Sequence, residues 1–565
     1  MKNRIQGPYQ FFPFLFLIAL AACNDRNQTP SDNAIKAINL KRGEVVLCGP
    51  PDKQFGTVEF TTFCPAEIRK DFNLGIALLH SFEYDEAEKV FAKIIGEEPG
   101  CAMAYWGVAM SNFHPLWSPP NQAELEKGAK AIEIAQALPQ KSKIETAYID
   151  AIALFYKDFN KIDHITRCIR LEKAMEKMHT DYPGDKEVGI FYALALDGAA
   201  DPTDKTLFKQ RKAGAILSAL YPAEPDHPGI IHYIIHSYDY PELAALALPA
   251  ARKYASIAPS SAHAQHMPSH IFTRLGLWDE SIHSNLVSVA SAQCYAKNTG
   301  IKGHWDEELH GMDYLVYAYL QKGENQLAKQ QYDYLTTMHA VYPVNFKVAY
   351  SFAAIPARYF LENKMWKEAA TLKMPSVNFS WQNFPWQNAI VHFARALGSA
   401  HMGHIDSAEA ELKNLTILYD TLIKQKDAYK ANQVQIEMKI SEAWILFKKR
   451  KNTEALTLME SAVGMEDNTQ KHPVTPGEVL PARELLGDML MQMNQPGKAL
   501  NAYAEDLKRH PNRFNGLYGA GLACETSNKT KEANDYYRQL INISDSINSK
   551  RPELAAAKLF LQKRK

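Results

Sequence analysis

The sequence predicts an all-α fold, a solenoid superhelix of paired helices preceded by a small N-terminal hairpin bracketed by cysteines. Three observations predict it. From residue 67 onward apolar residues recur with helical rather than strand periodicity. The pattern repeats at a period of roughly 34 residues, as stacked helix pairs require. Small and aromatic residues hold fixed places in each period: Gly75, Ala87, Phe91 and Pro99 are matched in spacing by Gly487, Ala499, Tyr503 and Pro511, and again by Gly521, Ala533 and Tyr537. A chain of 565 residues, 46% of them hydrophobic, has ample apolar surface for such a stack.

Taken in order, the chain opens with MKNR and the apolar run Phe11 to Ala22. That run is too short to cross about 30 Å of hydrocarbon as a helix, so residues 1–22 read as a signal peptide. Leu20, Ala21, Ala22 and Cys23 resemble the lipobox of bacterial lipoproteins. The resemblance implies acylation of Cys23 and, with Asn24 beside it, an exported protein anchored in the outer membrane and facing the periplasm; several acyl chains hold such an anchor stably. Residues 23–45, polar at their start, read as a tether. Residues 46–66 contain CGPPDKQFGTVEFTTFC, whose Gly and Pro turn signals and alternating β-prone residues predict a hairpin closed by a Cys48–Cys64 disulfide. Cys101, Cys168, Cys294 and Cys524 are isolated in sequence and read as small buried hydrophobes.

Residues 67–372 read as the main solenoid, with HPLWSPP from His114 to Pro120 as an inserted loop and Gly276 and Gly323 at turns between helices. Residues 373–388, with Trp381 and Trp386, interrupt the pattern. Residues 389–565 carry Gly403 at a further turn and end in a capping helix over Pro552 to Lys563. The Gly, Ala and aromatic spacing resembles the tetratricopeptide repeat. That resemblance implies two antiparallel helices per repeat, close at their small residues, with the aromatic packed between neighbours and ligands received in a concave groove.

Nine of the 19 histidines lie between His227 and His310. His232, His236 and Asp239 are spaced i, i+4, i+7, and His263, His266 and His270 are spaced i, i+3, i+7, so each trio shares a helix face. In the repeat register these positions line the groove, and His310 and Asp313 join them from the following repeat. Neutral imidazoles with one or two carboxylates suit a transition metal, Zn, Cu or Fe. The plainer alternative is that the rings satisfy backbone carbonyls freed by Pro241 and Pro268, or grip a peptide. Arg274 and Arg358 are candidates to clamp a carboxylate or phosphate. His80 and His114, one period apart, and Trp106 are further groove candidates. His304, Asp306 and Glu307 are candidate supporting partners, and His227, beside Pro228, reads as a helix start.

HPGIIHYIIHSYDYP, HAQHMPSHIFTRLG, CAMAYWGVAM, PARELLGDML and HPNRFNGLYGAG resemble a family of exported bacterial tetratricopeptide-repeat lipoproteins, over about Cys48 to Asn528. This resemblance implies no substrate. Lys plus Arg equals Asp plus Glu at 63 each and no basic aromatic stripe occurs, so nucleic acid is not an expected partner. No nucleophile elbow, phosphate-binding Gly-rich loop, HExxH or CxxC motif occurs either. The expected function is that of an interaction scaffold for a periplasmic protein or peptide, with a metal in its groove. A metal-dependent enzyme using the His/Asp cluster is the alternative.

Overall fold

The computed structural model describes residues 29–46, 48, 54–544 and 549–563. The signal segment and Cys23 lie outside these residues. Within them the chain is a succession of antiparallel helix pairs, beginning with Arg69–His80 against Tyr84–Glu97 and ending with Phe514–Thr526 against Thr530–Ile543, capped by Pro552–Gln562. The only strands among the described residues are a two-residue parallel bridge, His304–Trp305 with Val341–Tyr342. No described helix is long and apolar enough to cross a membrane.

The packing explains the repeat. A Cβ placed on Gly75 would sit 2.7 Å from the Phe91 ring, and one on Gly107 would sit 2.5 Å from the same ring, so Phe91 fills a slot between successive first helices. Tyr503 is held the same way between Gly487 and Gly519, where a Cβ on either would sit 2.5 Å from its ring. Helix starts are fixed locally. Asn121 with Glu124 and Ser142 with Glu145 form reciprocal caps that satisfy orphan N–H groups at both ends of the box. Residues 113–121 and 371–384 carry no α-helix.

The stack curls until its two halves touch. Trp278 Nε1 donates to Asn512 O at 2.9 Å, and Asn512 Nδ2 donates to Gly276 O at 3.1 Å. Arg513, fully buried, pairs with Glu362 at 2.7 Å and Glu484 at 2.9 Å and donates to the Tyr317 hydroxyl at 3.1 Å. The helix-free segment 468–481 then folds inward: Lys471 reaches Asp239, and Gly477 O accepts from Arg358 at 2.9 Å.

The N-terminal region departs from expectation. No strand forms over the described part of 46–66, and no Cys48–Cys64 bond exists. Residues 54–57 run against the solenoid instead, with Thr57 N donating to Asp226 O at 3.1 Å and Ser260 N to Gln54 O at 3.0 Å. That path separates the two cysteines. Cys48 is bonded to Cys294 and Cys64 to Cys101, so only Cys168 and Cys524 are the buried free thiols expected of the isolated set. The tether expected over 23–45 is also not free in its second half. Asp32–Ile38 is a helix capped by Ser31, and Lys41 N and Val46 N donate to Glu88 and Glu86 at 2.7 and 2.9 Å.

Candidate metal centre

Four helical segments converge in the interior of the curl: Pro228–Ser237, Ala262–His266, Pro268–Leu275 and Asp306–Gln321. Pro228 stands at the first helical turn, where its missing N–H is harmless, and His227 caps it through Ile230 N to Nδ1 at 3.4 Å, the helix start read from the sequence. Pro268 has no N–H to give Ala264 O, so the third helix is interrupted at Met267 and His270 is aimed separately from His263.

The histidines meet as two triplets. His232, His236 and His263 bring ring nitrogens within 4.8 Å of one another, and so do His266, His270 and His310. The sequence trios are thereby rearranged: His263 joins the helix before it, and His310 replaces it beside His266 and His270. Burial is near complete, with His232 and His266 at 0% exposure, His270 at 3% and His310 at 5%, while His236 is partly exposed. The rings therefore do not line an open groove, as expected from the repeat register. Segment 468–481 and the neighbouring helices fill that space.

Hydrogen bonding fixes the tautomers of His266 and His270. Asn285 Nδ2 donates to Ser281 O at 2.8 Å, which leaves its Oδ1 to accept from His266 Nδ1 at 2.6 Å. His270 Nδ1 donates to Asp239 Oδ2 at 3.0 Å. Lys471 and Arg274 outweigh burial and hold the Asp239 carboxyl well below the usual range, so it is an acceptor. With both Nδ1 atoms protonated, the neutral rings carry lone pairs on Nε2, and the two Nε2 atoms face each other at 3.0 Å, with the Tyr314 hydroxyl 3.3 Å from that of His270. Burial pushes the His266 and His310 pKa values well below the usual range and that of His270 down to about 4, so a second ring proton is disfavoured at neutral pH. Two facing lone pairs at that distance repel, and a shared cation removes the repulsion. An N–H donated outward to a carboxylate or amide oxygen is also the arrangement that orients metal-bound imidazole.

A third group gives the contrast. His80, Glu187 and His227 are equally buried and close, but His80 Nε2 and His227 Nε2 each take one Glu187 oxygen, at 3.0 and 2.9 Å. His80 Nδ1 pairs with the Tyr233 hydroxyl at 3.0 Å, and His227 Nδ1 is the helix cap. Every ring nitrogen there is satisfied without an ion.

The other candidates lie elsewhere. Asp239 stands behind His270 rather than facing the cluster. Asp313 is paired with Arg358, and both are buried. Arg358 is further engaged by the Tyr350 hydroxyl and Gly477 O, and Arg274 donates from Nε to Asp239 Oδ1 at 2.8 Å, so neither arginine is free to clamp a ligand. His80 contributes its backbone carbonyl, which accepts from His232 Nδ1 at 2.6 Å. Trp106 is a core residue packed on Phe60, Tyr148 and Phe191. His114 packs at a tilt against Tyr84 and stands 3.8 Å from Glu124, outside both triplets. Of the supporting candidates, Glu307 reaches His263 at 3.8 Å, while His304 pairs with Glu308. Sequence reasoning missed Phe82, Asn285, Tyr314 and Lys471, and it placed Trp117 only within the inserted loop HPLWSPP. Tyr314 places its hydroxyl 3.3 Å from the His270 ring nitrogens.

Residues 485–546, which contain the Tyr503 and Tyr537 packing sites, match the tetratricopeptide repeat family. Among solved structures, yeast Tom70 is similar at 10% identity over 88% of this chain and 96% of that one, with a TM-score of 0.32. The human IFIT1 dimer with PPP-AAAA is similar at 11% identity over 82% and 94%, TM-score 0.32. The tetratricopeptide-repeat domain of P58(IPK) is similar at 15% identity over 67% and 99%, TM-score 0.20. These likenesses carry nothing about site or ligand. No curated protein matches the sequence. The architecture is that of a tetratricopeptide-type α-solenoid.

Proposed function

We propose that this chain is an exported solenoid lipoprotein, anchored at Cys23 in the outer membrane and facing the periplasm, that holds a transition-metal ion at His266, His270 and His310 and acts as an interaction scaffold for envelope proteins or peptides. The observation that carries the metal reading is the pair of Nε2 lone pairs 3.0 Å apart on rings whose Nδ1 atoms are already committed. The donor set fits Zn²⁺, Cu²⁺ or Fe²⁺, all of which accept imidazole. Paired Cys48–Cys294 and Cys64–Cys101 suit an oxidising compartment, and the lipobox-like residues supply the anchor. Because the histidines are buried, a peptide partner is received on the outer faces of the repeats, and the ion stabilises the curl from within.

The test is elemental analysis of the untagged full chain in detergent near pH 7. Bound metal at one equivalent or more, reduced by one equivalent in His266→Ala and His270→Ala variants that keep their helical circular dichroism, supports the reading. No metal, even after incubation with each of the three ions, defeats it.

A second reading is a metal-dependent enzyme. Three protein donors leave a coordination position for water or substrate, as catalytic metal sites do, and the Tyr314 hydroxyl beside His270 could hold a proton there. An ion at that position would supply Lewis acidity. Asp239 and Asn285 orient the two rings, and segment 468–481 excludes water. Chelation distinguishes the readings: a scaffold keeps its partner without the ion, whereas an enzyme loses turnover and regains it with one particular metal.

A further inference from the structure

The first triplet differs from the second in its surroundings, and the difference has chemical content. His232 donates from Nδ1 to the His80 carbonyl at 2.6 Å, so its Nε2 lone pair points to His236 Nε2, 3.0 Å away. His263 is 6% exposed, and its Nε2 is buried with no hydrogen-bond partner. Unlike the His80–Glu187–His227 group, this triplet contains no carboxylate and leaves a ring nitrogen unsatisfied.

Aromatic rings close it. Phe82 lies 4.4, 5.5 and 5.7 Å, centroid to centroid, from His232, His236 and His263, and Trp117 lies 5.2 and 6.0 Å from His236 and His263. Phe82 follows the helix Arg69–His80 with φ of 57°, at a turn where glycine is usual. A bulky residue in that conformation is strained, and strain of this kind persists where the surroundings impose it, often at functional sites. The strained turn puts an apolar ring, where glycine would leave room for water, directly over three imidazoles.

Charge selects the ion. Behind His263, Glu307 and Asp306 share Lys347, which leaves one formal negative charge. The Born cost of burying an ion rises with the square of its charge, so a buried site of three neutral nitrogens favours a monovalent ion over a divalent one. A monovalent transition ion that accepts three neutral nitrogens and needs no water ligand is copper(I). Zinc would keep a fourth position for water, which the Phe82 and Trp117 rings occupy.

We propose that His232, His236 and His263 form a second metal site, selective for copper(I) and capped by Phe82 and Trp117. The proposal rests on the metal reading above and goes beyond it in the number and identity of the ions.

The test is anaerobic titration of the untagged full chain in detergent with copper(I), against a competing copper(I) chelator, with and without prior loading by zinc. In zinc-loaded wild type one copper(I) equivalent is expected to bind, quenching fluorescence that is absent from Trp117→Phe. His236→Ala should lose that equivalent while retaining the metal at His266, His270 and His310. His270→Ala should lose the other ion and keep the copper(I). Phe82→Gly, which relieves backbone strain, guards against a folding artefact: it should keep or raise thermal stability and bind copper(I) at least tenfold more weakly. Copper(I) binding unchanged in His236→Ala, or zinc outcompeting copper(I) at this triplet, overturns the proposal and leaves the second-triplet reading standing. Absence of any metal from either triplet removes both.

Discussion

His263 and His266 are three residues apart on one short helix and belong to different clusters: His263 faces His232 and His236, while His266 faces His270 and His310. The single turn Ala262–His266 thus divides six histidines into two sets of three, and changes at its two ends have separable effects.

Asn285 fixes the His266 tautomer. Asn285→Ala frees His266 Nδ1 from its one strong acceptor and is expected to weaken metal binding at that triplet by about 10–100-fold, the range seen when such outer partners are lost. Competition with a calibrated chelator measures it, and an unchanged affinity would sink the assigned tautomer.

Lys471 latches the inner segment onto Asp239. In Lys471→Met the Asp239 carboxylate keeps Arg274 and His270, so the fold should survive with a loss of about 1.5–3 kcal/mol for one charge-assisted bond. Metal removal by EDTA should be faster than in wild type. Equal rates in the two proteins would mean that segment 468–481 does not control access.

Tyr503 occupies the slot between Gly487 and Gly519. Gly487→Ala places a methyl 2.5 Å from the ring, and overpacking of this kind costs about 1–3 kcal/mol. Urea denaturation should register that loss, and Tyr503→Leu in the Gly487→Ala background should cost less than Tyr503→Leu alone.

His510 makes stability fall in alkaline solution. Burial opposes its charge, but Asp506 and Glu478, at 2.9 and 3.0 Å, outweigh burial and raise its pKa to about 9. The unfolded value is about 6.5. A raised folded pKa gives stability fully present below 6.5 and lost as pH rises through 9, about 3 kcal/mol in all. Thermal unfolding of wild type and His510→Gln should diverge at pH 6 and converge above pH 9.

The cysteine pairing can be read directly by peptide mapping under non-reducing conditions, which should give Cys48 linked to Cys294 and Cys64 to Cys101. Cys294→Ser should cost about 2–5 kcal/mol, as loss of a native disulfide does in small secreted domains.

What the sequence disclosed was what short-range physics controls. The slots around Phe91, Tyr503 and Tyr537 were legible because a helix pair needs its small and aromatic residues at set spacings, and the His227 cap because Pro228 marks a first turn. The histidine cluster was legible as a density of residues and as helix faces, but its division into triplets was not, since that depends on the interruption at Met267 and on the angle between helices. The Cys48–Cys64 hairpin failed for the opposite reason. Alternation in that stretch signals a strand, yet none forms over its described residues, and Thr57 bonds instead to residue 226, far away in sequence. Lys471, Arg358 and Asp313 could not have been assigned at all, because their pairings depend on how far the stack curls.

The latch at Lys471 also sets an order of events. Residues 232–310 precede residue 471 by more than 150 positions, so the second triplet can assemble before the segment that covers it is in place. An ion that arrived after folding would have to reopen that segment, whereas one supplied during folding would be enclosed once. The spacing between ligand and latch along the polypeptide thus acts as a clock, and late truncations should yield protein that fills and empties freely.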